Sequence, residues 1–355
     1  MHIESIRFKN YKLLRDATLP LEPLTVIVGP NGSGKSSVLE ALRLVAANDG
    51  PAFSRAHTAG VQWDGQPVAM EVVAGTPPFR ALVEWQMSQY LGAEVRSSIT
   101  PSFRTGEDFD TSALDALLGL VRSFRSFALA PARMQQVAPL HPGETLASDG
   151  ANLAVALDQL RDRDPDAWVA LNAELGRWLP EFDAVLFDTP QQGMRAIALR
   201  TRSGRHKIAA QDLSSGTLMT LGLLAIAHGE TAPRLVGIEE PELGVHPRLL
   251  RNVRDALFRM AYPAENGSGA APRQVIVTTH SPYLLDLFRD VPECVVVAER
   301  RETGVEFRRL TDHPDIDDIL SSGPLGDAWY SGVLGGVPVE PQPATVYPMV
   351  TQDAT

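Results

Sequence analysis

Apolar positions along the 355 residues recur in two rhythms, short continuous runs and a spacing of three to four. The runs Leu24-Thr25-Val26-Ile27-Val28, Arg234-Leu235-Val236-Gly237-Ile238 and Arg273-Gln274-Val275-Ile276-Val277 have the length of strands covered on both faces, and each passes straight into polar residues. They predict a parallel sheet whose carboxyl ends form a ligand edge. Ahead of the first run, a strand is expected over Ile3–Phe8, a turn at Asn10-Tyr11 and a second extended segment over Asp16–Pro20. Alternation in residues 68–73 and 81–85, on either side of Gly75-Thr76-Pro77-Pro78, predicts antiparallel strands. Helical spacing covers Ser112–Phe124, Asn152–Leu160 and Asp166–Leu179. A hairpin follows, Arg195–Arg202 and His206–Ala210 around Ser203-Gly204, and then an apolar helix over Leu218–Ala227. The pattern is α/β: a mixed or parallel core, an antiparallel β subsection and a helical lobe. We expect one lobe from about 1–100 plus 230–320, a helical lobe over about 101–229, and a poorly ordered or docking tail, 338–355, rich in Pro, Gln and Thr.

The first buried run opens into Gly29-Pro30-Asn31-Gly32-Ser33-Gly34-Lys35-Ser36, which completes G-x-x-x-x-G-K-[ST] between a strand and a helix running from Ser37 to about Ala47. Glycines at 29, 32 and 34 let successive N–H groups converge on the phosphates of a nucleotide, and Lys35 adds a point charge. Ser36, at the helix start, is placed to ligate Mg²⁺. ATP and Mg²⁺ are therefore the expected substrate and ion.

The second run delivers Glu239-Glu240-Pro241-Glu242. Two adjacent acids divide the labour: Glu239 is expected on the Mg²⁺ side, and Glu240 is expected to orient the attacking water. A loose phosphoryl-transfer transition state responds mainly to positioning and charge. The third run ends in Thr278-Thr279-His280-Ser281, which puts His280 where it can sense a γ-phosphate. Leu213-Ser214-Ser215-Gly216-Thr217 heads a helix, an anion site that does not easily reach the phosphate loop of its own chain. Ser214, Ser215 and Gly216 are expected to serve a neighbour.

Charge narrows the partners. With 43 acidic against 32 basic residues the net charge is −11, which disfavours indiscriminate binding to nucleic acid and makes any polyanion contact local. No apolar stretch approaches the roughly 20 residues of a membrane span, so no membrane partner is expected. The first ten residues mix acids and bases, and Cys294 is the single cysteine, which together predict a cytoplasmic protein without disulfides. Cys294, in Cys-Val-Val-Val, reads as a buried strand thiol.

These motifs, in this order, resemble the ABC-type ATPase heads of the SMC and RecF-like superfamily, including the ATPase part of OLD-type proteins. The resemblance extends over most of residues 1–290 and includes the opening Ile3-Glu4-Ser5-Ile6-Arg7-Phe8-Lys9-Asn10-Tyr11-Lys12. It implies a P-loop NTPase fold, and a homodimer that sandwiches ATP, each phosphate loop covered by the partner's signature serine, here Ser214. It further implies that Glu242-Leu243-Gly244-Val245-His246-Pro247 is a D-loop at the dimer interface. The family's Q-loop glutamine is sought at Gln135 or Gln136, after the apolar segment Phe127–Ala130, with Gln136 as the Mg²⁺ candidate. Tyr11 or Lys12 lies where relatives approach the base, although an aromatic there serves a core equally well. Sustained heptads and the acidic constellation of a Toprim nuclease are both missing from the sequence.

The same resemblance makes the protein an ATPase that couples nucleotide state to DNA repair, genome maintenance or phage defence. The alternative is the nucleotide-binding subunit of a transporter. Arg195, Arg200, Arg202, Arg205 and Lys207 share one hairpin without an acid, which fits either DNA or an effector protein, or an ordinary basic hairpin paired with the acidic remainder. Arg248, Arg251, Arg254 and Arg259 read as a solvated helix face, with local pairing to Asp255. Gly323–Gly332 carries no evident chemistry, and its Trp329 and Tyr330 are candidates for docking.

Overall fold

The three apolar runs lie side by side. In a computed structural model describing residues 2–49, 68–74, 81–87, 99–104, 111–141, 143–229, 233–266 and 270–335, the chain forms β1 (Ile3–Tyr11), β2 (Leu14–Pro20), β3 (Leu24–Val28), α1 (Lys35–Ala46), β4 (Ala69–Ala74), β5 (Ala81–Met87), β6 (Ile99–Arg104), α2 (Thr111–Arg122) and β7 (Arg125–Phe127). A helical turn over Pro131–Met134 leads to β8 (Ala138–Pro139), α3 (Leu153–Arg163), α4 (Pro165–Trp178), β9 (Phe182–Asp188), β10 (Met194–Thr201), β11 (Lys207–Ala209) and α5 (Ser215–His228). The remainder is β12 (Leu235–Glu239), α6 (Leu250–Ala261), β13 (Gln274–Thr279), α7 (Pro282–Asp286), β14 (Val295–Arg301), β15 (Gly304–Arg309), α8 (Ile316–Ser322) and α9 (Leu325–Tyr330). The Gly75-Thr76-Pro77-Pro78 turn and the tail 338–355 lie outside the described residues.

The central sheet has the order β15-β14-β3-β13-β12-β7, parallel from β14 to β7 and closed by antiparallel β15. Side-chain alternation decides its two covers. Ile27, Leu235, Ile276 and Val296 face a core shared with Phe8, Leu39, Leu42 and Phe124. Val26, Val236, Val275 and Val295 face the other core, with Leu218, Leu221, Leu224 and Leu257. Both faces are buried, which is why these strands read as continuous apolar runs.

On the first face lies the antiparallel sheet β2-β1-β4-β5-β6, with α1 and α2. Buried Gln274 ties the two sheets: its amide donates to the carbonyl of Ile3 (2.7 Å), and its oxygen accepts from the Ile3 amide (2.8 Å). On the second face, α5 is apolar all round and almost wholly buried, as its composition requires. Each of its fully buried leucines contributes about 1.5–3 kcal/mol. Glu174 of α4 sits beneath α5, where burial pushes its carboxyl up, but His228 and Arg259 more than offset this and leave it below the ordinary range.

Several expectations change. Tyr11 ends β1 and is fully buried in the first core, so it is a core aromatic, and Lys12 at the turn pairs with Glu40. The edge strand is Arg125–Phe127, not Phe127–Ala130. Strand β9 was not anticipated, and neither were β6, α8 and α9. Trp329 joins the second core, while Tyr330 is 80% exposed. Cys294 is buried, but it stands in a 3₁₀ turn just ahead of β14. Burial pushes its thiol up to about 12, so a thiol reagent at pH 8 should leave the native protein unmodified and label it once it is denatured.

Candidate nucleotide site

Because β3, β13 and β12 are parallel neighbours, their carboxyl ends share one edge, with Thr278 opposite both Ile27 and Glu239. The phosphate loop leaves β3 at this edge. A Cβ on Gly29 would lie 2.5 Å from the Ala298 carbonyl and 2.8 Å from Ser33 Oγ, so only glycine fits there. Gly34 caps α1 in the left-handed region, φ +85°, against Leu14 and Val305. Asn31, Gly32 and Ser36 are exposed, Pro30 and Ser37 are partly so, and Ser33 and Lys35 are buried.

Lys35 folds over the loop, donating to the carbonyls of Gly29 and Pro30 (2.8 Å each) and to Ser33 Oγ (3.3 Å). Burial pushes its amine down to about 8, against the pull of Glu240 and Glu242. Ser36 Oγ donates to Glu239 Oε2 at 2.8 Å across 203 positions of sequence. A hydroxyl and a carboxylate paired in this way form an oxygen donor set of the kind Mg²⁺ takes beside phosphates, so the residues fit that ion.

Glu240 is left-handed, φ +43°, while its amide still bonds the Thr278 carbonyl (2.9 Å). A non-glycine residue held there stores strain, which is common where a side chain must be aimed. Its Oε1 lies 3.4 Å from His280 Nε2. The His280 ring also bonds the Gly29 backbone; burial, then the charge of Lys35, hold its pKa below the ordinary histidine value, so the ring is neutral at pH 7. One histidine thus bridges the phosphate loop and the second acid.

Ser214 and Ser215 are exposed at the head of α5, where Ser214 Oγ accepts from the Thr217 amide (3.1 Å). Among the described residues no bond joins them to the phosphate loop of their own chain. Instead, Gly216 packs on the loop after β12: a Cβ there would lie 2.5 Å from the Gly244 carbonyl. Leu243 and His246 of that loop are exposed.

The structure does not bring every candidate into this constellation. Gln136 donates to the Ala132 carbonyl (3.2 Å) and accepts from Arg133 (3.4 Å), and no bond joins it to Ser36 or Glu239. The basic hairpin is largely paired within the chain. Arg195 meets Asp158 (2.6 Å), Arg200 meets Asp183 (2.7 Å), Lys207 meets Asp188, and Arg202 donates to the carbonyls of Pro180 and Phe182. Arg205, at the turn, makes no such bond. On α6, Arg254 lies 3.6 Å from Asp255 and stacks on Phe258, whereas Arg259 reaches Glu174. Sequence reasoning gave Glu242 no side-chain role, yet its carboxylate accepts from Thr279 Oγ1 (2.5 Å) and from the His280 amide (3.3 Å). Its place as the third acid of the Glu-Glu-Pro-Glu run was the signal.

The chain is similar to known ATPase proteins. A model described as "AAA domain, putative AbiEii toxin, Type IV TA system" matches residues 111–286, and one described as "AAA ATPase domain" matches 1–84. An SMC head bound to the C-terminal winged-helix domain of ScpA superposes with TM-score 0.61 at 13% identity, covering 87% of this chain and 98% of that one. These likenesses support an ABC-type ATPase head of the SMC and RecF-like kind. The head fold recurs in the SMC head domain from Thermotoga maritima, TM-score 0.51 at 14% identity, covering 87% of this chain and 99% of that one. The OLD nuclease of Thermus scotoductus is 46% identical over 51 residues, 14% of this chain and 10% of that protein. DNA replication and repair protein RecF of Magnetococcus marinus is 38% identical over 68 residues, 19% of this chain and 17% of that protein. The head thus matches a tenth to a sixth of the length of these curated relatives. Among its described residues no helix is long and apolar enough to cross a membrane.

Proposed function

We propose that this head binds Mg-ATP, closes on a second copy of itself, hydrolyses slowly and reopens. The observation that carries the reading is the meeting of Lys35, the Ser36–Glu239 pair and the Glu240–His280 pair at one sheet edge. Lys35 and the loop amides hold the phosphates, with Pro30 to Ser37 shaping the cradle. Ser36 and Glu239 hold Mg²⁺, which when bound offsets phosphate charge. Glu240 orients the water and accepts its proton, and neutral His280 keeps that carboxylate aimed while its ring stays on the phosphate loop. The exposed Ser214 and Ser215, with half-buried Gly216, complete the site of the second copy.

Replacing Ser214 with Arg puts an unpaired charge where the second copy must dock. The variant is expected to bind nucleotide as a monomer with unchanged affinity, by calorimetry, and to lose ATP-dependent dimerisation and turnover. Dimerisation and turnover equal to the unmodified chain would remove Ser214 from the reading.

The partner lies in DNA repair, genome maintenance or phage defence, a reading supported by the similarity to a RecF protein, an OLD nuclease and a family described by a toxin–antitoxin system. The intrachain pairing of the basic hairpin gives it little free charge for a phosphate backbone. ATP turnover with and without single- and double-stranded DNA at two salt concentrations separates the partners, since phosphate contacts give stimulation that fades with salt. Transport is not favoured, because these similarities fall on OLD, RecF and SMC proteins.

A further inference from the structure

Glu242 is the one acid of the Glu-Glu-Pro-Glu run with no direct part in the chemistry above, and one oxygen of its carboxylate is shielded from solvent. Its Oε1 takes two donors from β13's end, the Thr279 hydroxyl at 2.5 Å and the His280 amide at 3.3 Å. Thr279 is itself fully buried, and its Oγ1 in turn accepts from the Ser281 amide (3.0 Å). Ser281 caps α7 through the Leu284 amide (3.2 Å). The backbone on both sides of His280 is therefore tied, directly or through Thr279, to one carboxylate. Its second oxygen, Oε2, is buried and has no hydrogen-bond partner among the described residues. A turn that merely needed closing would not require a buried carboxylate with an unpartnered oxygen, because that group carries a desolvation penalty.

From the other side, Glu242 begins the loop that carries exposed Leu243 and left-handed Gly244, φ +71°. The Val245 amide returns to the Glu242 carbonyl (3.0 Å), and the Gly244 carbonyl abuts Gly216 at the head of α5. α7 is braced from below: Gly326 of α9 sits against the Pro282 carbonyl, where a Cβ would come within 2.6 Å, and its amide donates to Asp286 (2.6 Å). His280 thus stands on a frame fixed at Asp286 and at Glu242.

We infer that Glu242 is a positioning residue for hydrolysis: by holding Thr279 and the His280 amide it keeps the imidazole on Glu240 and fixes that histidine to the loop that packs on Gly216 at the head of α5. The inference rests on the nucleotide reading above. It predicts an effect on turnover through His280 larger than any on nucleotide affinity, because among the described residues Glu242 makes no hydrogen bond to the phosphate loop and reaches Lys35 only through its charge.

The test is steady-state ATP turnover by the full chain, with nucleotide affinity measured in parallel for Glu242→Ala, Glu242→Gln, Thr279→Val, His280→Ala and the Glu242→Ala/His280→Ala double variant. Loss of the acceptor lets the histidine drift, and a displacement near 1 Å lowers kcat by about 10- to 100-fold, with KM for Mg-ATP little changed. Glu242→Gln, which keeps an acceptor, recovers most of that loss, and Thr279→Val reproduces part of it. Because Glu242 acts through His280, the double variant should be no slower than His280→Ala alone. A kcat for Glu242→Ala equal to that of the unmodified chain, or a loss that multiplies with that of His280→Ala, overturns the inference. If Glu242→Ala does not fold, the same cycle with Thr279→Val decides by the same criterion. Absence of turnover in the unmodified chain overturns the nucleotide reading beneath it, a separate outcome visible in the same plates.

Discussion

Replacing Glu240 with Gln should lower ATP turnover by about 10²- to 10⁴-fold, the range for removing a general base, while nucleotide still binds. The amide is isosteric and keeps the left-handed turn at φ +43° and the amide bond to Thr278. What it lacks is the charge that accepts the water proton and draws the neutral His280 ring to within 3.4 Å. Phosphate release measured beside calorimetric ATP affinity separates the two effects. Unchanged turnover would take Glu240 out of the chemistry, and lost binding would mean that the residue shapes the cradle instead.

The second large effect is expected from Lys35→Met. Two loop carbonyls, Gly29 and Pro30, would lose a charged donor at 2.8 Å, and the phosphates would lose the buried cation aimed at them. Hydrogen bonds from a charged group contribute about 1.5–3 kcal/mol each, so losing two such bonds to the phosphates lowers ATP affinity by about 10²- to 10⁴-fold. Gly29→Ala should weaken binding by a different route, since its Cβ meets the Ala298 carbonyl at 2.5 Å and the loop must move. Equilibrium binding of a fluorescent ATP analogue reads both. Affinity within twofold of the unmodified chain for Lys35→Met would show that the lysine only closes the loop.

Strands β3, β12 and β13 were legible because strands covered on both faces leave an unbroken apolar run, and the motif residues follow within the same few positions. α5 was legible from its apolar length. Strand β9 was hidden because Phe182-Asp183-Ala184-Val185-Leu186-Phe187-Asp188 has neither a clean alternation nor a turn signal of its own, and its pairing with β10 supplies the order. β8 is two residues long and exists only as a ladder to Met194 and Arg195.

At the site, local motifs placed Lys35 and Ser36 at a helix start and Glu239, Glu240 and His280 at strand ends. The contacts between them depend on the parallel register, which no single segment encodes. Glu242 is the clearest example: its partners, Thr279 and His280, lie 37 and 38 residues away at the end of β13. The basic hairpin makes the converse point. Pairing with the acidic remainder of the chain was an expected reading, but Asp158, Asp183 and Asp188 lie outside the hairpin, and only the fold identifies them as the partners.

The central claim, that two copies complete each other's pocket, is tested most directly by the mass of the Glu240→Gln protein in solution, measured by sedimentation velocity with saturating Mg-ATP. A dimer that returns to monomer when the nucleotide is washed out is the predicted result. A protein that stays monomeric at every concentration, with nucleotide bound, contradicts it.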